Sequence, residues 1–594
     1  MFKRWGVVLT FFALLSACAN FAKQPSLSPV QAKGDMAYLQ SRLNTLIEKE
    51  MRSRRIVGLS LALTVGEKTL WQRGYGHADK ARNISASAHT LYRAGSISKL
   101  FNSVAAMQLV EQGLLDLDAP IQQYLSDFDV KTRFNASSAI TTRHLLTHLS
   151  GLPSDLIKGM WRDDPDSFHA VLPYLNNTYV ANPPNTLSAY SNVAHSVLGL
   201  IIESIVKKPY EEYMQALLRD MKMLESAFSS ELTGEYAAAA YRRARLADEP
   251  GLRDVPAAGL NTSVAELSAL LKLINSGGDL FGKRLLRQSS VTHMLSDYSD
   301  NAAINLGQRM ALGWFFADDI FSPKQPAYRH GGASVNHRAF VVIHPRRQLG
   351  VVLLSNSKEA GSVLADIAKQ ALGLLYEYQT GYSAPLVPPQ YPERHRQDML
   401  APGDMEGYYS TLGGLAHVFM DKQKLKAKIA GKVFSLYQRR PGGLYFLRYR
   451  LFGVIPINIR SLAYRGFSVR HLAGETLLIS SDTLRRQEVL GKRIHATAIS
   501  SAWRERLGRY RILNPLQAVD VPSGGLMIEN GFLIAYAKTS DGMQLKYVLE
   551  PQNDREAIVS GVGRNFGETV DVDFDDDGVE TLRFANIVFQ KLSP

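Results

Sequence analysis

The chain has 594 residues, 45% of them apolar and 21% charged, with a formal net charge of +13 and one cysteine. That apolar content excludes a disordered protein, and the length calls for more than one domain. A lone cysteine excludes an intrachain disulfide framework, so stability must come from packed cores.

At the N-terminus, Lys3 and Arg4 precede an apolar run from about Val7 to Leu15, too short to anchor stably across a bilayer, followed by Ser16-Ala17-Cys18. Residues 1–17 read as a secretory signal and 18–35 as a tether. The stretch Leu15-Ser16-Ala17-Cys18 resembles the bacterial lipobox, which would make Cys18 a diacylated first residue. With Ala19 rather than Asp after it, the resemblance implies a lipid-anchored protein of the bacterial cell envelope, on the periplasmic side of the outer membrane in a Gram-negative host. An ordinary signal peptide with an incidental cysteine is the competing reading.

Residues 36–382 read as one domain, beginning with a hairpin at about Gly58–Val65 and Thr69–Gly76. Gly95 then precedes Ser96, and Leu100, Val104, Met107 and Val110 recur at helical spacing up to Gly113. Ser96 is therefore expected at a helix N-terminus, where free N–H groups favour developing negative charge. Lys99 follows one turn later on the same face. Taken alone, the pair reads equally as a capping serine with a surface lysine. Ser-x-x-Lys recurs at Ser204–Lys207 and Ser355–Lys358, and Tyr-x-Asn at Tyr174–Asn176, but only Ser96 opens a helix. Tyr190-Ser191-Asn192 introduces an apolar helical run, a largely helical subdomain is expected between Leu114 and about Asn275, and His330-Gly331-Gly332 precedes strands near Ala339–Ile343 and Gly350–Leu354. A hydroxyl nucleophile, an amine and a phenol to move its proton, and a glycine-lined strand edge are the parts needed for acyl transfer through a serine ester. His144, His148 and His195 read as structural; no pair has metal-ligand spacing with a third ligand, so neither metal nor cofactor is implied.

From about Met36 to Tyr376 the chain resembles the serine β-lactamase/penicillin-binding superfamily, in its class C and D-aminopeptidase-like esterase branch. The matching segments are Val57-Gly58-Leu59-Ser60 with Arg73-Gly74-Tyr75-Gly76, Leu91 through Lys99, Ile140 through Pro153, Tyr190-Ser191-Asn192, Pro256-Ala257-Ala258-Gly259-Leu260, and Tyr328-Arg329-His330-Gly331-Gly332. The resemblance implies Ser96 as nucleophile, Lys99 as the amine accepting its proton, and Tyr190 as the phenol serving the leaving group and then the deacylating water. It implies Asn192 as the amide holding the acyl side chain, and the N–H groups of Ser96 and Ala333, beside Gly331 and Gly332, as the oxyanion hole. His330 stands where many relatives carry a lysine, so a neutral or cationic imidazole would hydrogen-bond Tyr190 and offer only a pH-dependent charge. Two turns depart from the family: Pro184-Asn185 replaces Pro-Gly, and Ala333-Ser334-Val335-Asn336-His337-Arg338 replaces a continuation through Pro-Gly. Asn tolerates positive φ, so both turns are expected to survive. Arg338 reads either as a carboxylate contact or as a surface strand residue.

A Pro-rich linker at 383–402 leads to short alternating runs at 403–495 and 500–594. Both begin alike, Met405-Glu406-Gly407-Tyr408-Tyr409 and Arg506-Leu507-Gly508-Arg509-Tyr510, which suggests two small β-barrels and an internal duplication. The first carries 16 basic against 6 acidic residues, net +10; the second 10 against 14, net −4. A basic first barrel suits anionic lipid headgroups or cell-wall polymers, or simply a solubilising surface. Asp573-Phe574-Asp575-Asp576-Asp577-Gly578 mimics the start of a calcium loop, yet Phe584 falls where its glutamate belongs, so a hairpin turn is expected. The expected fold is α/β: an antiparallel sheet flanked by helices plus a helical subdomain, β-lactamase-like, followed by two small antiparallel β-barrel-like domains. The expected activity is a serine hydrolase on cell-wall or D-amino-acid peptides or small esters, with a small-molecule or peptide substrate, a membrane anchor and no nucleic acid. A class C-type β-lactamase, acyl transfer to an amine or alcohol, and a non-catalytic envelope scaffold are the alternatives.

Overall fold

Two neighbouring strands, Gly58–Val65 and Leu349–Ser355, are almost wholly buried and pair antiparallel, Leu61 opposite Leu353. Side chains alternate across a strand, so each strand feeds two cores. Leu59, Leu61, Leu63, Val351 and Leu353 enter one; Ala62, Val352 and Leu354 enter the other. Burial on both faces explains why these strands read as continuous apolar runs although the sheet is antiparallel.

The computed structural model describes residues 33–592 apart from 135–137, 177, 305, 307, 322–324, 387–398, 440, 452–454, 458–464, 482–486, 515–522, 539–543 and 576. The signal segment, most of the tether including Cys18, and the middle of the linker lie outside the described residues. The main sheet runs Phe315–Phe316, Tyr328–Ala333, Arg338–His344, Leu349–Ser355, Gly58–Val65, Lys68–Asp79, Ile84–Ser85. The helix Met36–Arg54, opened by the Asp35 carboxylate accepting from Tyr38 N at 2.8 Å, buries Leu39, Leu43, Ile47 and Met51 at four-residue spacing. Together with Leu364–Thr380 it covers one face. Val264–Asn275 lies against the other, with Ser98–Glu111 and Asn192–Val206 in the same core. No described helix is long and apolar enough to cross a membrane.

Both C-terminal segments close into eight-strand antiparallel barrels. The first closes where Lys432–Gln438 pairs with Tyr445–Leu451, and the second where Gly508–Ile512 pairs with Ile587–Lys591. Their first strands share a local device. Tyr409 donates its hydroxyl to Met405 O at 2.7 Å, and Tyr510 donates to Arg506 O at 2.8 Å. The aspartate-rich stretch is a hairpin turn, Asp575 Oδ1 accepting from Val579 N at 2.8 Å.

The second barrel docks on the domain at 36–382. Tyr179 donates to Glu556 Oε1 at 2.6 Å, Arg133 donates to Thr569 Oγ1 at 2.8 Å and to Gly567 O, and Ile157 N donates to Ala585 O at 2.8 Å. Glu568 is buried in this contact, accepting from Ser154 N at 3.4 Å. Burial, followed by the charge of nearby Asp155, pushes its pKa from 4.5 up to about 8. A carboxyl with a raised folded pKa stabilises the fold fully below its unfolded value, and that stability is lost as pH rises through the folded value. Glu568→Gln is uncharged at every pH. Its thermal midpoint will match wild type near pH 4 and exceed it above about pH 8. A difference that stays constant across that range in scanning calorimetry would contradict a neutral Glu568.

Candidate active site

Ser96 lies two residues before the helix Ser98–Glu111, and that helix has no side-chain cap. The capping role falls away, and so does the surface lysine: Lys99 is 0% exposed. Its Nζ lies 3.3 Å from Ser96 Oγ, 2.8 Å from Asn192 Oδ1 and 2.8 Å from Ala257 O. Burial lowers its pKa from 10.5 to about 7; Asp155 opposes the shift and the Arg564 cation adds to it. A neutral amine has two N–H bonds and one lone pair. Two of its three neighbours are carbonyl oxygens that only accept, so the lone pair is left for Ser96 Oγ–H. The Asn192 amide cannot flip, because its Nδ2 donates to Asp155 Oδ1 at 2.6 Å.

Tyr190 immediately precedes Ser191, whose hydroxyl caps the helix Asn192–Val206 by accepting from Ala194 N at 3.0 Å. Burial raises the pKa of its phenol well above the ordinary value, an effect that the neighbouring Ser96 hydroxyl partly opposes. The Lys99 amine lies 4.9 Å from the Tyr190 ring centroid. Near pH 7 about half of the lysine is free base while almost none of the phenol is ionised, so of the two Lys99 is the group able to accept a proton and Tyr190 the group able to donate one.

The third component is a strand edge. Among the described residues, Tyr328 and Arg329 of Tyr328–Ala333 pair outward, with Phe315–Phe316, and His330–Ala333 have no outer partner strand. A Cβ on Gly95, at φ 56°, would lie 2.7 Å from Ala333 N, and one on Gly332 would lie 2.0 Å from Ala94 O. Both positions must be glycine for the backbone beside Ser96 to meet the backbone of Ala333. Gly331 and Ala333 are exposed there. The other sequence copies serve structure: Ser204 donates to Tyr124 O at 2.7 Å and Ser355 to Gly58 O at 2.6 Å.

A family model described as β-lactamase matches residues 43–375. The chain belongs to the β-lactamase family. Among curated relatives, protein flp of Staphylococcus aureus (strain NCTC 8325 / PS 47) is 26% identical over 332 residues, 53% of this chain and 63% of that protein. Esterase EstB of Burkholderia gladioli is 34% identical over 134 residues, 23% of this chain and 34% of the esterase. The chain thus spans less than two thirds of the length of these relatives. Among solved structures, SurE aligns with a TM-score of 0.56 at 21% identity over 76% of this chain and 99% of its own. The octameric penicillin-binding protein homologue from Pyrococcus abyssi aligns at 0.51 and 21% over 74% and 95%. These two structures align over more of the chain than residues 43–375 account for.

Within the β-lactamase family frame, the departures have local causes. Asn185 takes φ 62°, so that turn survives as expected. Asn336 does not adopt positive φ; its loop is held by Asn336 N donating to Glu249 Oε2 at 2.8 Å and Nδ2 to Asp248 O at 2.7 Å. Arg338 turns back on its own loop, Nη1 donating to His337 O at 2.6 Å and Ser334 O at 2.8 Å. His330 is buried and pairs Nδ1 with Gly331 O at 2.7 Å; its ring lies 6.4 Å from that of Tyr190. Burial, followed by Lys99, lowers its pKa to about 3, so the imidazole is neutral and a pH-dependent charge there is not available. His144 completes the capping box with Thr141, whose N donates to its Nδ1 at 3.1 Å. His148 instead packs 4.3 Å from the Tyr190 ring, with His195 5.4 Å beyond, both kept neutral by burial.

Two residues of the β-lactamase-type site escaped the sequence reading. Asp155 follows the matching segment that ends at Pro153, and it holds Asn192. Its loop is clamped by buried Arg253, which donates to Leu156 O at 2.5 Å and to Asp254 Oδ1 at 2.7 Å. Arg564 belongs to the second barrel. It donates to Asp155 Oδ2 at 2.7 Å, with its guanidinium 5.5 Å from the Tyr190 ring centroid. No motif surrounds Arg564 in the sequence; docking alone brings it to the site.

Proposed function

We propose that this chain is a serine hydrolase that forms and releases an acyl ester on Ser96, acting on D-amino-acid or cell-wall peptides or on small esters. One observation carries the reading: a fully buried Lys99 amine, with a pKa of about 7, faces Ser96 Oγ after two carbonyl oxygens have taken its N–H bonds. Ser96 Oγ attacks the substrate carbonyl as its proton passes to Lys99. The oxyanion accepts from the N–H groups of Ser96 and Ala333. Tyr190 gives its proton to the departing group and is reprotonated through Lys99. Water then attacks the ester with the same groups working in reverse, and Ser96 regains its proton. The partial match to an esterase supports the small-ester arm. A neutral His330 in place of the relatives' lysine argues against efficient class C-type β-lactam turnover.

The test is stoichiometric. Mixed with excess p-nitrophenyl acetate, the protein should release a burst of about one nitrophenolate per chain, with the acetyl mass on the peptide containing Ser96. No burst, or acetyl only on other residues, would defeat the reading. A D-alanyl anilide, a D-Ala-D-Ala peptide and a chromogenic cephalosporin then rank the substrate classes.

A further inference from the structure

Among the described residues, the cations of the N-terminal domain nearest this site are all engaged or uncharged. Lys99 is buried and engaged, His330 is neutral, Arg338 is tied to its own loop, and Arg329 pairs with Asp319 at 2.9 Å. The cation comes from the second barrel. Arg564 sits on a loop pressed against the catalytic domain: a Cβ on Gly567, at φ 75°, would lie 2.6 Å from Ala181 O, and Asn565 N donates to Ser154 Oγ at 3.3 Å. Its side chain is 49% exposed, and Asp155 occupies one Nη of a planar fork with five donors. Both Asp155 oxygens are taken, one by Arg564 and one by Asn192, and only 16% of that side chain is exposed. Asp155 therefore offers a substrate ammonium little accessible carboxylate, whereas a substrate carboxylate would find open guanidinium donors beside Tyr190.

Resting on the hydrolase reading above, we propose that Arg564, supplied by the second barrel, selects substrates that carry a free carboxylate close to the scissile bond. The barrel, rather than the catalytic domain, then sets the charge preference of the enzyme, and Asp155 holds the guanidinium in place.

The experiment compares thioesters that differ only in one carboxylate. One pair has thioglycolate or thioglycolamide as leaving group; the other has a succinyl or methylsuccinyl acyl group. The full chain should favour the acid of at least one pair in kcat/KM, and Arg564→Ala should shrink that ratio by about tenfold or more. Arg564→Lys should restore part of it. Because Arg564→Ala also exposes the Asp155 charge, the double variant with Asp155→Asn decides the cause: a ratio that stays low supports direct recognition, and a ratio that recovers overturns it. An unchanged ratio in Arg564→Ala overturns it as well. Turnover of the neutral thioesters without Ser96 acylation would instead defeat the hydrolase reading, whatever the ratio.

Discussion

Replacing Lys99 by methionine will lower kcat/KM by about two to four orders of magnitude, and arginine will do no better. Methionine keeps the buried length of the side chain and removes the base. Arginine keeps a charge but cannot lose its proton near neutrality, and it brings a wider group to a pocket lined by Ala257 O and Asn192 Oδ1. Ser96→Ala should reach the same floor, and the double variant should fall no further, because nucleophile and base act as one unit. The pH dependence carries the sign. The working form of Lys99 is the free amine, so with a pKa of about 7 the wild-type kcat/KM should fall tenfold per pH unit below about 7 and level off above it. His330, at about 3, lies too low to set this limb, contrary to the expectation of a pH-dependent charge at that position. Lys99→Met should retain its residual rate without that limb. An acid limb near 4 in the wild type would remove Lys99 from the role of base.

What the sequence reveals here depends on how local the cause is. Ser96, Lys99, Tyr190 and the glycine edge lie in short segments whose spacing already fixes their neighbours along a helix or strand. The two-sided burial of Gly58–Val65 and Leu349–Ser355 was likewise written in unbroken apolar runs. Two barrels were legible in the alternating runs and the repeated opening motif, but the pairings that close them, such as Tyr510 with Lys591, were not, because strand tilt and stagger set them and no neighbouring residue does. Charge states were also hidden. The imidazole at position 330 stays neutral even well below pH 6 because the folded chain removes water from it and sets Lys99 nearby. The engagement of Arg338 was hidden too, because its Nη1 donates to the carbonyls of Ser334 and His337 and the path of that loop is set by Glu249 and Asp248. Arg564 lay furthest from view, since a lone arginine between glycines acquires meaning only through the docking of one domain on another.

Gly332→Ala will cut kcat by about two to three orders of magnitude with a small change in KM, the largest effect expected from adding one methyl group. The new Cβ would lie 2.0 Å from Ala94 O and 3.1 Å from the Ala339 Cβ, so neither side offers a flexible side chain to move. The strand Tyr328–Ala333 must then separate from Tyr92–Gly95, and Ala333 N moves away from the backbone at Ser96. Ground-state binding depends little on that separation. The oxyanion, which forms only as the carbonyl becomes tetrahedral, depends on it directly, so the loss falls on kcat. The neighbouring glycine is the control. A Cβ on Gly331 meets only the Phe340 ring, at 3.8 Å, an ordinary van der Waals contact. Gly331→Ala should therefore cost at least tenfold less than Gly332→Ala in steady-state kinetics, with acylation of Ser96 slowed in step with kcat in each variant. If the two variants lose activity equally, close packing of the strand edge on the Ser96 turn is not what holds the oxyanion donors together.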